Sequence, residues 1–255
     1  GAAVDGQDRG ARDGAAARLM AEARAPDRPQ LLLLHGALGS AAQLAALAAA
    51  LEPRFDCHAI DFVGHGSSPL TGPLSVERLV EQVAGYIGAS ALAPAAIFGY
   101  SLGGYVALQL AATQPSLVRS VATLGTKLEW TPKAAERMAA MMDPAGMTER
   151  SPKLAAALRE AHPATGWERV CAESREMLTT LGEFPLLTRA SYLAMTQRVR
   201  LIVGDRDDTV TLTETIAAYA AIPSAELEVL PATGHMIGRV DVTRLAASLG
   251  AFFAG

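Results

Sequence analysis

Half of the 255 residues are hydrophobic and 19% are charged, which supplies a sizeable folded core and argues against a disordered chain. A net charge of −4, with no run of Lys or Arg, gives no footprint for nucleic acid. No stretch approaches the ~20 apolar residues of a membrane span, and the two cysteines, Cys57 and Cys171, form neither a disulfide framework nor a metal-ligand spacing.

Residues 1–27 are rich in Ala, Gly, Asp and Arg and carry no strand pattern, so a weakly specified arm is expected there. They show neither a hydrophobic signal core nor a basic leader, and two free thiols suit a reducing compartment, so the expected location is cytoplasmic. From Pro29 the signals sharpen. Leu31–Leu34 is a continuous apolar run, as a strand buried on both faces requires. A helix is expected over Ala41–Leu51, started by Ser40 as N-cap and stopped by Pro53. Phe55–Ile60 reads as a strand and Val76–Ile87 as an amphipathic helix. Ala95–Phe98 reads as a strand, and Leu102–Thr113 as a helix ending before Pro115. Strands follow at Leu117–Leu124, Val199–Val203 and Glu226–Leu230, with helices at Thr213–Ala221 and Val240–Phe253.

This alternation predicts an α/β fold: a mostly parallel central sheet with helices on both faces. One region breaks it. Residues 127–197 are helical throughout, punctuated by Pro132, Pro144, Pro152, Pro163 and Pro185, and form a helical insertion between two strands of one sheet. The expected organisation is therefore a core built from residues 28–126 and 198–255, interrupted by residues 127–197.

Gly99-Tyr100-Ser101-Leu102-Gly103 follows a predicted strand and opens a predicted helix. In that context two glycines permit a tight turn that exposes the serine hydroxyl at the carboxyl edge of the sheet, with the helix N-terminus behind it. A serine capping an ordinary helix is the plainer alternative. The hydroxyl needs a base to take its proton. Of His35, His58, His65, His162 and His235, only His235 lies after all the candidate acids, just past the last strand. An acid should follow the preceding strand, where Asp205, Asp207 and Asp208 stand together; spacing alone leaves the choice among them open.

With these residues in place, the chain resembles the α/β-hydrolase family, whose order is Ser…Asp…His. The resemblance covers nearly everything from Pro29 onward. The family's acid loop, Gly-x-x-Asp-x-x-Val, matches Gly204 to Val210 and implies Asp207 as the acid, with Asp205 its main rival. Leu34-His35-Gly36-Ala37 resembles the oxyanion loop and implies that the N–H groups of Ala37 and Leu102 hold a developing oxyanion, with His35 bracing the loop. Asp61-Phe62-Val63-Gly64-His65-Gly66-Ser67-Ser68 resembles a scaffolding turn of the family, which makes His65 structural. Residues 127–197 fall where the family carries a helical cap. They hold Met138, Met141, Met142, Met147, Met177 and Met195, with Trp130, Trp167, Phe184 and Tyr192. Either these line an adaptable apolar pocket or, more plainly, they pack the helices together.

The resemblance implies a serine hydrolase that cleaves a small, partly apolar carboxylic ester through an acyl-enzyme on Ser101, with no metal or organic cofactor. Two other readings are a carbon–carbon hydrolase or lyase using the same triad, and a slow-turnover ligand receptor. The expected partner is a small-molecule substrate; no oligomeric state is indicated.

Overall fold

The computed structural model describes residues 28–254. The expected arm at residues 1–27 lies outside them. Among the described residues six strands form one sheet: β1 (Gln30–Leu34), β2 (Asp56–Ile60), β3 (Ala95–Tyr100), β4 (Val118–Leu124), β5 (Arg198–Gly204) and β6 (Ala225–Leu230). Their order is β2-β1-β3-β4-β5-β6 and every pairing is parallel. Such a sheet needs helical crossovers and must be covered on both faces.

The period-2 alternation of the strands sorts their side chains into two cores. Leu32, Leu34, Ile97, Val121 and Leu201 face α2 (Val76–Ala89), α3 (Leu102–Thr113) and α9 (Leu212–Ala221). Leu31, Leu33, Phe98, Leu124 and Ile202 face α1 (Ala45–Leu51) and α10 (Val242–Ala254). Leu31–Leu34 are each at most 1% exposed, which is why that run lacks polar alternation.

Between β4 and β5 come five helices: α4 (Pro132–Met141), α5 (Pro144–Arg150), α6 (Pro152–Ala161), α7 (Trp167–Glu183) and α8 (Arg189–Leu193). Three of the prolines open a helix at its first position, where the missing N–H would have no partner in any case. Thr131 and Asp143 cap two of those helices by accepting from Ala134 N and Gly146 N. Among the described residues no helix is long and apolar enough to cross a membrane.

The expected helix over Ala41–Leu51 is interrupted. Ala41–Leu44 form a 3₁₀ turn before α1, and Ser40 makes no side-chain cap bond. The carboxylate of Asp61 takes that role from another loop, accepting the Ala41 N–H at 2.7 Å.

Candidate active site

The chain runs from β1 outward to β2 and then returns to place β3 on the other side of β1. Strand order therefore reverses between β1 and β3. In open α/β sheets the crevice at such a reversal, beyond the carboxyl ends of the strands, is where ligands bind. The loop after β1 (His35 to Ser40) and the turn after β3 (Ser101) flank it.

Ser101 sits at φ 52°, ψ −115°, outside the conformations ordinary residues favour. Neighbouring bonds hold it there: its N–H donates to Leu124 O at 2.9 Å, and its carbonyl accepts from Thr126 Oγ1 at 3.0 Å. The turn is possible because its glycines allow close approach. A Cβ on Gly103 would lie 2.3 Å from Leu34 O, and one on Gly99 would lie 2.4 Å from the Gly103 carbonyl carbon.

His235 follows β6, and its Nδ1 lies 2.9 Å from Asp207 Oδ2. The other Asp207 oxygen accepts from Thr209 N at 2.9 Å and Val210 N at 2.8 Å. The Asp207 side chain is only 1% exposed. Burial alone would raise its pKa; the hydrogen bond and charge of His235, with the two N–H donors, outweigh that and hold it below the usual carboxylate range. Nδ1–H therefore donates to a carboxylate and leaves Nε2 as the basic nitrogen. The imidazole lies beside Tyr100, the neighbour of Ser101, with ring centroids 5.5 Å apart, and the Tyr100 hydroxyl donates to His235 O at 3.1 Å.

Asp205 does something else. It is exposed and accepts the Thr233 N–H at 3.1 Å, so it pins the loop that carries His235. Its pKa is held low by the backbone N–H groups of Ala232 and Thr233. Of the three neighbouring aspartates, Asp207 is the one bonded to the imidazole.

Ala37, Ser101 and Leu102 line one narrow cleft together with Tyr105, Lys127, Trp130, Met138, Leu178 and Thr209. Of the six methionines in the insertion, Met138 alone lines this cleft; Met142, Met147, Met177 and Met195 are buried, and Met141 is exposed. The plainer reading of those methionines holds. Two residues that sequence reading passed over also shape the site. Gly125, just past β4, has φ +57°, and a Cβ there would come within 3.1 Å of Asp207 Oδ2 and 3.2 Å of His235 Nδ1. A glycine after an apolar strand was the available signal. Lys127 enters the cleft wall paired with the buried Glu214, its Nζ 3.1 Å from Oε2.

The family model described as Alpha/beta hydrolase family matches residues 31–247. The chain belongs to the alpha/beta hydrolase family. Within it, the chain is 31% identical over 256 residues to a pimeloyl-[acyl-carrier protein] methyl ester esterase of Xanthomonas campestris pv. campestris strain B100; the match covers 89% of this chain and 95% of the relative. A protein of the same name from Xanthomonas axonopodis pv. citri is 30% identical over 84% of this chain and 91% of its own. Solved alpha/beta hydrolase-like structures share the fold. A hydrolase from Pseudomonas aeruginosa PA01 superposes with TM-score 0.74 at 21% identity, covering 91% of this chain and 92% of its own. The enol-lactonase from Burkholderia xenovorans LB400 gives 0.72 at 22% identity, covering 91% and 94%.

Proposed function

We propose that this alpha/beta hydrolase is a carboxylic-ester hydrolase with Ser101 as nucleophile, His235 as general base and Asp207 as the group that orients the base. The observation that carries the reading is the 2.9 Å Asp207–His235 hydrogen bond beside a serine held at positive φ on the same edge of the sheet. Ser101 Oγ attacks the ester carbonyl as His235 Nε2 takes its proton. The carbonyl oxygen becomes an oxyanion held by the N–H groups of Ala37 and Leu102. Collapse expels the alcohol, which receives the proton from His235, and leaves an acyl-enzyme. Water, deprotonated by the same imidazole, then releases the acid and restores Ser101.

The substrate reading goes one step further. The cleft lining is largely apolar (Leu102, Trp130, Met138, Leu178), and its Lys127 is already paired with Glu214, which suits a partly apolar, uncharged ester. Two relatives that match most of the chain carry the name methyl ester esterase, which makes methyl esters of acyl chains the first class to try. Residues 127–197 act in this reading as a cap over the cleft. We take the compartment to be cytoplasmic, on the strength of the unpaired thiols Cys57 and Cys171.

The test is labelling with a fluorophosphonate probe, wild type against Ser101→Ala, with hydrolysis of p-nitrophenyl and methyl esters of graded acyl length. Labelling that disappears in the variant, together with turnover, is the expected result. Labelling without ester turnover would redirect the assignment to another bond or to a receptor role. No labelling of folded protein would sink the proposal.

A further inference from the structure

Beside the cleft lies a second group of titratable side chains that the reaction above does not use. His35, His65 and His162 are each at most 1% exposed, with ring centroids 5.3 Å apart for the first two and 5.7 Å for the last two. His35 and His65 come from the loops after β1 and β2. His162 comes from the helical insertion, immediately after α6.

The hydrogen bonds of His162 define its tautomer. Nδ1 accepts the Gly66 N–H at 2.9 Å, so Nε2 carries the proton and donates to Leu38 O at 3.0 Å. Leu38 adjoins Ala37. It is a non-glycine residue at φ +56°, a conformation that costs of order 1–3 kcal/mol and persists only where its surroundings hold it. The rest of this loop is tied down by its own neighbours: Gly36 N–H donates to Gln43 Oε1 at 3.3 Å, Gly39 N–H to Gly36 O at 3.0 Å, and Ala41 N–H to Asp61. The bond at Leu38 is the one that comes from the insertion.

We propose that His162 is a positioning residue. It latches the insertion to the Gly36–Gly39 turn, so that the Ala37 N–H is aimed at the reacting carbonyl only while the insertion is seated. Seating of the helical segment and completion of the oxyanion hole are then one event. The same imidazole also fixes the Gly66 turn, whose Ser67 N–H and Oγ both donate to Asp61 Oδ2, the partner oxygen of the one that holds Ala41. A neutral ring with one donor and one acceptor nitrogen is what two such partners demand, and few side chains supply both at that separation. The inference rests on the assignment of Ala37 to the oxyanion hole.

The experiment compares wild type with His162→Phe, which keeps an aromatic ring, slightly larger, and removes both bonds, and His162→Gln, whose amide offers a donor and an acceptor. Loss of one aimed oxyanion donor costs about 10²–10³ in rate, and a misaimed one should lower kcat by about tenfold or more. For His162→Phe we expect that fall with KM within about twofold. Faster amide exchange over residues 36–40 and weaker inhibition by a trifluoromethyl ketone, whose adduct needs the hole, should accompany it. His162→Gln should recover part of kcat. A folded His162→Phe with wild-type kcat and unchanged exchange at 36–40 would overturn the latch. If that variant fails to fold, His162→Gln decides: exchange at 36–40 that quickens without any fall in kcat overturns it equally. A wild type inert to both fluorophosphonate and esters is a different failure, visible before any His162 variant is made; it removes the hydrolase reading and the latch with it.

Discussion

Asp205 and Asp207 stand two residues apart and hold different parts of one loop pair. Asp207 binds the His235 ring, and Asp205 binds the backbone at Thr233, two residues before that ring. Their substitutions should separate accordingly. Asp207→Asn leaves a side chain of the same shape that cannot enforce the Nδ1–H tautomer or stabilise the imidazolium, and kcat for an ester should fall by about 10³–10⁴. Asp205→Asn keeps an oxygen for the Thr233 N–H and sits in solvent, so its kcat should stay within about tenfold of wild type. Steady-state ester hydrolysis by the two variants checks this, and a larger loss at 205 would reverse the assignment. Sequence spacing identified the cluster but could not choose within it. What distinguishes Asp207 is that its second oxygen is occupied by Thr209 and Val210 N–H, a turn geometry invisible in a row of aspartates. Gly125 was missed for a similar reason: its neighbours in space lie some 80 and 110 residues further along the chain (roughly, by sequence position), and only the sheet brings them together.

At the scale of elements, the central strands were legible because a parallel strand covered on both faces has an uninterrupted apolar run, as Leu31–Leu34 shows. Their ends were less so: the strand expected over Ala95–Phe98 extends to Tyr100, right up to the Ser101 turn. The split of the helix over Ala41–Leu51 was not legible, since the partner that satisfies Ala41 is Asp61, twenty positions away. Long-range carboxylates recur as joints. Glu214 closes a capping box with Thr211 at the start of α9, accepts the Leu128 N–H at 3.1 Å and pairs with Lys127, its side chain 3% exposed. It thereby joins α9 to the segment leaving β4 toward the insertion. Removing one member of a buried pair leaves the other charge without compensation, typically at a cost of about 3–5 kcal/mol. Glu214→Ala should thus destabilise the protein by about that amount, since the Lys127 side chain is itself only 14% exposed. Glu214→Gln, which gives up the charge and one acceptor but keeps an oxygen for the Leu128 N–H, should lose less. Urea unfolding of both variants measures the difference; equal losses would mean that the ion pair, absent from both, and not the hydrogen bonding holds the joint.

Across the whole molecule, the loops at the carboxyl edge are held together by imidazoles that must stay neutral, and this gives stability a definite dependence on pH. Burial is the main cause in each case: it lowers His35 from its ordinary 6.5 to about 4 and His65 to about 3, and it lowers His162 as well. The groups facing them partly oppose or add to this. Asp61 raises all three, and the three rings lower one another in part. Above pH 6.5 these rings are neutral in both the folded and the unfolded chain, so they contribute no slope. Below it the unfolded chain takes up protons that the fold refuses, and stability falls as pH falls, until each folded value is reached. Asp61 and Asp207 act in a lower window, because their folded pKa values lie beneath the ordinary 3.8 and their contribution is lost only as pH drops past it. The histidine window is therefore separable from the carboxylate one. Each deeply buried histidine should remove about 2 kcal/mol of stability between pH 7 and 5. Urea unfolding at those two pH values should show the loss in wild type and a loss smaller by about that amount in His65→Gln, whose side chain does not titrate. If the two proteins lose stability equally between pH 7 and 5, His65 is not the buried neutral group described, and the acid sensitivity of the fold lies elsewhere.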